Sequence, residues 1–302
     1  MELSIILGGR DDNYGENFIE RFHQAVSTNL DLLDKSNLDY EMIVVDFNPV
    51  NGKYLHINPL MEDLLSHKRV KNLIVDQSVL TAEDLTPTTY YEYFAKNVGC
   101  RISLGEMIFI TNSDIILTEK LIDTIKLELV NENKNDYFYR TRYRGDIEVG
   151  QKPSDNPKII QAGEYLTGHL NGWGNPNEVL NLHNKKDDKI CGLWSGDASM
   201  FSRHVFFDVA TGYNEKDYGH RTSSNQSNMD SEILENLYVK GKRLKLLEAP
   251  YFHLYHGHPI SRDNVYSKST YTNNDEWGFV NYNKERINNN TEIIFDGDLI
   301  WD

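Results

Sequence analysis

Short, almost wholly apolar runs alternate with segments of helical period through the first half of the chain, and that alternation constrains its fold more than any other feature. Leu3 to Leu7, EMIVVDF at 41–47, VKNLIVD at 70–76 and EMIFI at 106–110 are apolar on consecutive positions. Strands with one wet face alternate instead, so these runs point to a largely parallel sheet covered on both sides by crossover helices. Gly8 and Gly9 are expected to break the first strand, and Asn48 and Pro49 the second. Phe18, Ile19, Phe22, Ala25, Val26 and Leu30 recur at helical intervals and form one face of a covering helix. Tyr90, Tyr91, Phe94, Ala95 and Val98 mark a second helix, with Gly99 as its expected terminator. Thr118 is placed to cap a third, whose apolar face is Leu121, Ile122, Ile125 and Leu129.

From 144 to 194 the pattern dissolves into Gly, Asn, Pro, Asp and Lys with scattered aromatics, which reads as a loop-rich insertion that could fold over a ligand. Apolar character returns at 198–208, Ser231 to Val239 suits a short helix, and LKLLE at 244–248 suits a strand. Beyond 260 the chain is rich in Asn, Tyr, Asp and Lys, with Trp277 and Trp301 as isolated anchors. The expected organisation is one α/β domain over residues 1–260 and a C-terminal extension, 261–302, packed upon it.

Charge narrows the function classes. A net charge of -15 over 302 residues argues against a nucleic-acid partner, although a bound metal could still attract a small anionic ligand. Cys100 and Cys191 are the only cysteines, too few and too far apart for a disulfide framework or a Cys-rich zinc site, and are expected to be buried thiols. MELSIILGG lacks the layout of a signal peptide, and no apolar run approaches the ~20 residues that cross a bilayer. A cytoplasmic protein is the default expectation, with any membrane contact peripheral.

In an open α/β sheet, ligands gather at the carboxyl ends of the strands, where Asp46, Asp76 and Asp114 fall in succession. Asp46 could accept hydrogen bonds from a nucleobase or ribose, and Asp114, in the turn TNSD at 111–114, could bind a hard cation such as Mg2+ or Mn2+. Aspartates after strands are also ordinary turn formers. Gly8, Gly9 and Arg10 could admit and face a nucleotide, or form a plain turn. HLYHGHP brings His253, His256 and His258 close together without the HExxH spacing of a zinc protease. Asp230 and Glu232 in NMDSE are candidate general bases, with helix capping as the alternative for Asp230. Trp194 in WSGD could stack on a sugar ring or pack in the core.

Taken in order, segments from residue 3 to 258 resemble the GT-A glycosyltransferases of the family 2 type. SIILGGRDDNYG matches their opening strand and turn, Asp46 in IVVDFNP their base-contacting acid, and Asn97 and Gly99 in AKNVG their helix-end pattern. FITNSD stands where the family carries DxD, with Asn112 in place of the first acid and Asp114 keeping the second. SGDASMFSRHVFFDVATGYNE resembles the acceptor-side motif, matching at Gly196, Asp197 and Glu215. The resemblance implies a GT-A fold and transfer of a sugar from a nucleotide-diphosphate donor, a UDP-sugar before GDP- or dTDP-sugars, to a hydroxyl of a glycan-type acceptor, with inversion. It further implies Gly8, Arg10, Asp46, Asn97 and Asn112 in donor binding, and Asp114 with His256, or alternatively His253, as ligands of Mn2+ or Mg2+. Asp230 takes the place of the catalytic base, and Trp194, Gly196 and Asp197 fall on the acceptor side. Lys96 or Arg101 could add charge near the phosphates, or could be solvated surface. The alternatives are a non-catalytic carbohydrate-binding homologue, favoured by Asn112, and a sugar-phosphate nucleotidyltransferase, disfavoured because GGRDDN lacks the basic signature.

Overall fold

The computed structural model describes residues 1–77, 90–151, 159–161, 198–215, 229–256, 284–288 and 292–295. Its framework is a mixed sheet with strand order β10-β11-β3-β2-β1-β4-β8-β6-β9-β5. The strands are β1 (Leu3–Gly9), β2 (Tyr40–Phe47), β3 (Val70–Val75), β4 (Met107–Thr111), β5 (Ile115–Ile116), β6 (Tyr137–Ile147), β7 (Ile159–Gln161), β8 (Ala198–Ser202), β9 (Arg243–Leu254), β10 (Lys284–Asn288) and β11 (Glu292–Phe295). β3, β2, β1 and β4 run parallel, β8 is inserted antiparallel between β4 and β6, and β6 and β9 are parallel to each other. This is a mixed, mostly parallel sheet flanked by helices, the α/β architecture that the sequence pattern leads one to expect.

The apolar runs do what consecutive burial demands. Leu3, Ile5, Leu7, Met42, Val44 and Phe109 point to one face, where Phe22 and Val26 of α1 (Phe18–Lys35) and Leu121 and Ile125 of α4 (Glu119–Leu129) cover them. Ile6, Ile43, Val45, Ile108 and Ile110 point to the other, beneath Phe94 and Val98 of α3 (Glu92–Arg101) and Ile233 and Leu237 of α5 (Met229–Val239). Each such side chain contributes roughly 1.5–3 kcal/mol by leaving water. A four-residue helix, α2 (Glu62–Leu65), lies between β2 and β3 in the chain. The Thr118 hydroxyl accepts from the Leu121 N–H at 3.1 Å, so the expected cap of α4 is present.

Three local expectations are corrected. β1 does not stop at Leu7 but continues through Gly8 and Gly9, because both glycines have extended neighbours to pair with on β2. Gly99 does not terminate α3, which continues to Arg101; a Cβ there would lie 2.6 Å from Ile6 and 3.0 Å from Val45, so glycine lets the helix press onto the sheet. The strand expected at 244–248 reaches Leu254, carrying Pro250 and His253 within it. β6 enters the region expected as an insertion, and β7 pairs with it; 162–194 lies outside the described residues. Within 261–302, the range expected as an extension, β11 pairs with β3 and β10 with β11. Cys100 is buried and free, whereas Cys191 lies outside the described residues. No helix among the described residues is long and apolar enough to cross a membrane.

Candidate active site

The β4–β5 turn carries Asp114 to the carboxyl edge of the sheet, and strand pairing brings two histidines to it. Ile115 is the antiparallel partner of His253, and the Leu254 N–H donates to the Asp114 carbonyl at 2.9 Å. His253 Nε2 lies 3.7 Å and His256 Nε2 3.1 Å from Asp114 Oδ2. The three residues are buried and offer ligand atoms that all lie within 4.8 Å of one another. An ion holding ligands at ~2.1 Å would bring them to within about 4 Å, a small contraction. Asp114 Oδ1 is buried with no hydrogen-bond partner, an acceptor whose cost is recovered only by a cation or a donor. The sequence leaves His253 and His256 as alternatives; the fold brings both to the same carboxylate.

Two polar residues on the apolar face of α1 hold this turn. The Asn29 amide donates to the Ile115 carbonyl at 2.8 Å and accepts from the Leu117 N–H at 2.8 Å, gripping the backbone just beyond Asp114. The Arg21 guanidinium donates to the carbonyls of Tyr14 at 2.7 Å, Gly15 at 3.1 Å and Glu16, while its Nε stands 4.0 Å from Asp114 Oδ2. The loop it gathers has positive φ at Asn13, Gly15, Glu16 and Asn17 and folds against His256. A Cβ on Gly15 would sit 2.6 Å from His256 Nδ1, and the Tyr14 ring meets the His256 ring edge-on at 5.4 Å. Burial lowers the Arg21 pKa, opposed by the charge of Asp114. Burial alone would raise the Asp114 carboxyl; the His256 hydrogen bond and the charges of His253, His256 and Arg21 overcome it and hold the group below the ordinary carboxylate range. Sequence reasoning missed Arg21 and Asn29, although both fall at helical spacing among the apolar positions of α1.

Across β1 lies a second buried carboxylate. Asp46, register partner of Gly9, accepts from the Leu55 N–H at 2.7 Å through Oδ2, while its Oδ1 is buried without a partner. Burial pushes its pKa up to about 7, assisted by Asp11 and opposed by the Leu55 hydrogen bond and Arg10. Arg10 chelates Asp12 Oδ2 at 2.8 and 2.6 Å and lies over the Tyr90 ring at 5.6 Å. Gly8 and Gly9 lie in the strand, where a Cβ would meet Tyr90 at 2.7 Å and Phe22 at 2.7 Å respectively, so close packing accounts for both. Asp76 follows the end of β3 at the same edge.

The remaining sequence candidates fall into two groups. Lys96 is buried rather than solvated, donating to Asn112 Oδ1 at 2.8 Å and pairing with Glu92 at 2.5 Å. Arg101 stacks over Phe207 at 5.9 Å. Asn97 is fully buried, its amide donating to the Tyr213 carbonyl at 3.0 Å and Glu215 at 2.6 Å and accepting from the Tyr213 N–H at 2.8 Å. Asn214 donates to Glu232 at 3.1 Å, so the GYNE turn ties α3 to α5. Asp230 stands in the first turn of α5. Trp194, Gly196, Asp197 and His258 lie outside the described residues.

No protein-family model matches the sequence. A comparison with curated proteins also yields no match. Among solved structures, the chain is similar to S. aureus TarS 1-349, with 12% identity, a TM-score of 0.48 and alignment over 84% of this chain and 60% of that one. The same fragment in complex with UDP gives a TM-score of 0.47 at 12% identity, over 84% of this chain and 61% of that one. In complex with UDP-GlcNAc it gives 0.49 at 12% identity, over 86% and 60%. The chain thus spans about three fifths of the length of the structures it resembles.

Proposed function

We propose that the chain is a metal-dependent glycosyltransferase that moves a sugar from a nucleotide-diphosphate donor to an acceptor hydroxyl. The observation that carries this reading is the buried Asp114–His253–His256 group, with Asp114 Oδ1 unpartnered, set across β1 from the buried Asp46 carboxyl. One carboxylate and two imidazoles fit a divalent transition metal better than Mg2+, which prefers an all-oxygen shell, so Mn2+ is the favoured ion. Bound there, the ion would supply positive charge to the diphosphate as it departs. Asp46, through its free oxygen, takes a hydrogen bond from the nucleoside, and Lys96 beside Asn112 adds a fixed cation near the phosphates. Asn97 serves indirectly, by holding the GYNE turn. Asp230 takes the acceptor proton, giving in-line attack and inversion, and Trp194, Gly196 and Asp197 contribute to the acceptor side.

The deciding experiment is a thermal-shift titration with Mn2+ or Mg2+ and a panel beginning with UDP-sugars and extending to GDP- and dTDP-sugars. A donor that stabilises the protein only with metal, Mn2+ acting at lower concentration than Mg2+, supports a transferase. Stabilisation by free glycans and by no nucleotide favours a carbohydrate-binding homologue instead. With an active donor in hand, Asp230→Asn is expected to retain donor binding and lose at least about a hundredfold in turnover; unchanged turnover excludes it as the base. NMR of the anomeric product reads inversion against retention.

A further inference from the structure

Beyond the ligands themselves, β6 presents a charged pair to His253. Asp146 is the register partner of His253 in the parallel β6–β9 pairing, and Arg144, two residues earlier, shares its face of the strand. His253 Nδ1 lies 3.1 Å from Asp146 Oδ1 and 2.9 Å from Arg144 Nη2, while Arg144 donates to Asp146 Oδ1 through Nε at 3.0 Å and pairs with it through Nη2 at 2.9 Å. One ring nitrogen of a neutral imidazole cannot both donate to the carboxylate and accept from the guanidinium. If Arg144 held the Nδ1 lone pair, the proton would move to Nε2, the atom that faces Asp114, and block it as a ligand. If Asp146 takes a proton-bearing Nδ1, the Nε2 lone pair is left free towards Asp114, and Arg144 is satisfied by the same carboxylate. The second arrangement gives the Asp146 carboxylate a donor from each neighbour and leaves the Nε2 lone pair as the one open valence of the ring, directed at the metal position beside Asp114.

We propose that Asp146 is a positioning residue that selects the Nδ1-protonated tautomer of His253 and so presents Nε2 to a divalent metal, with Arg144 clamping the carboxylate. The inference rests on the metal site of the preceding reading. A carboxylate behind a ligating histidine fixes ring orientation and raises ligand basicity, and its loss typically weakens metal binding 10- to 100-fold.

Two measurements test it without turnover. In 15N-histidine-labelled protein without metal, about two units above the ordinary histidine pKa, the His253 signal, assigned with His253→Gln, is expected to report Nδ1–H and unprotonated Nε2. Asp146→Ala is expected to shift the proton to Nε2. In parallel, Mn2+ binding followed by EPR, alone and with UDP, is expected to weaken about 10- to 100-fold in Asp146→Ala. If the parent protein binds Mn2+ and Asp146→Ala binds it equally well with the tautomer unchanged, the positioning role is overturned while the metal site stands. If the parent binds no Mn2+ with or without UDP, the metal reading fails and this inference falls with it. Should Asp146→Ala not fold, the parent spectrum decides: a proton on Nε2 overturns the proposal.

Discussion

Asp46 and Asp114 are both buried carboxylates at the carboxyl edge of one sheet, separated by β1, yet their surroundings drive them in opposite directions. Asp46 is buried, with one backbone N–H to accept from, and Asp11 opposes Arg10 nearby; its pKa rises to about 7. Asp114 is as deeply set but faces His253, His256 and Arg21, and remains ionised below the ordinary range. Burial is common to both, so the His256 hydrogen bond and the positive charge gathered around Asp114 account for the difference. One environment suits a group that exchanges hydrogen bonds with a neutral ligand, and the other a permanent anion that holds a cation.

The strongest way to break this contrast is to remove the anion. Asp114→Ala leaves Arg21 buried without its counter-charge, and is expected to cost roughly 3–5 kcal/mol in urea denaturation while abolishing Mn2+-dependent donor stabilisation. A variant as stable as the parent that still responds to Mn2+ and nucleotide would erase the distinction.

Asp46→Asn tests the other side. Because the folded pKa of about 7 lies above the ordinary carboxylate value, the contribution of Asp46 to stability is fully present below about pH 4 and is lost as pH rises through about 7. The asparagine variant keeps an acceptor for the Leu55 N–H and has no proton to lose. It is expected to match the parent near pH 4 and to exceed it by about 2–4 kcal/mol above pH 7.5; denaturation curves at the two pH values measure this, and parallel curves would show that Asp46 titrates normally.

A smaller change separates the pockets mechanically. Asn29→Ala removes the clamp on Ile115 and Leu117 and is expected to cost about 1–3 kcal/mol and to weaken Mn2+ binding, while the pH dependence assigned to Asp46 persists. Loss of both properties together would mean that the two pockets share one support.

How legible these pockets are in the sequence follows from how local their determinants are. The parallel strands, the α1 face and the Thr118 cap are written in runs and periods within a few residues, and each is present. Asp46 and Asp114 could be found because they end or follow such strands. Arg21 and Asn29 could not, because their partners lie in the 14–16 loop and at 115–117, and an Arg or Asn among apolar helical positions is also consistent with a rim residue. The meeting of His253 with both Asp114 and Asp146 depends on registers between strands more than a hundred residues apart in sequence. Gly8, Gly9 and Gly99 read as breakers in the sequence for the same reason: what excludes a Cβ there is a side chain from elsewhere in the fold.

The loop between β1 and α1 carries a final consequence. Its left-handed residues and its three carbonyls gathered by Arg21 mean that its shape is fixed by the folded chain before any ligand arrives. A ligand settling beside Tyr14 and His256 therefore meets a surface with little chain disorder left to suppress, and its affinity is not diminished by the entropy of ordering that loop.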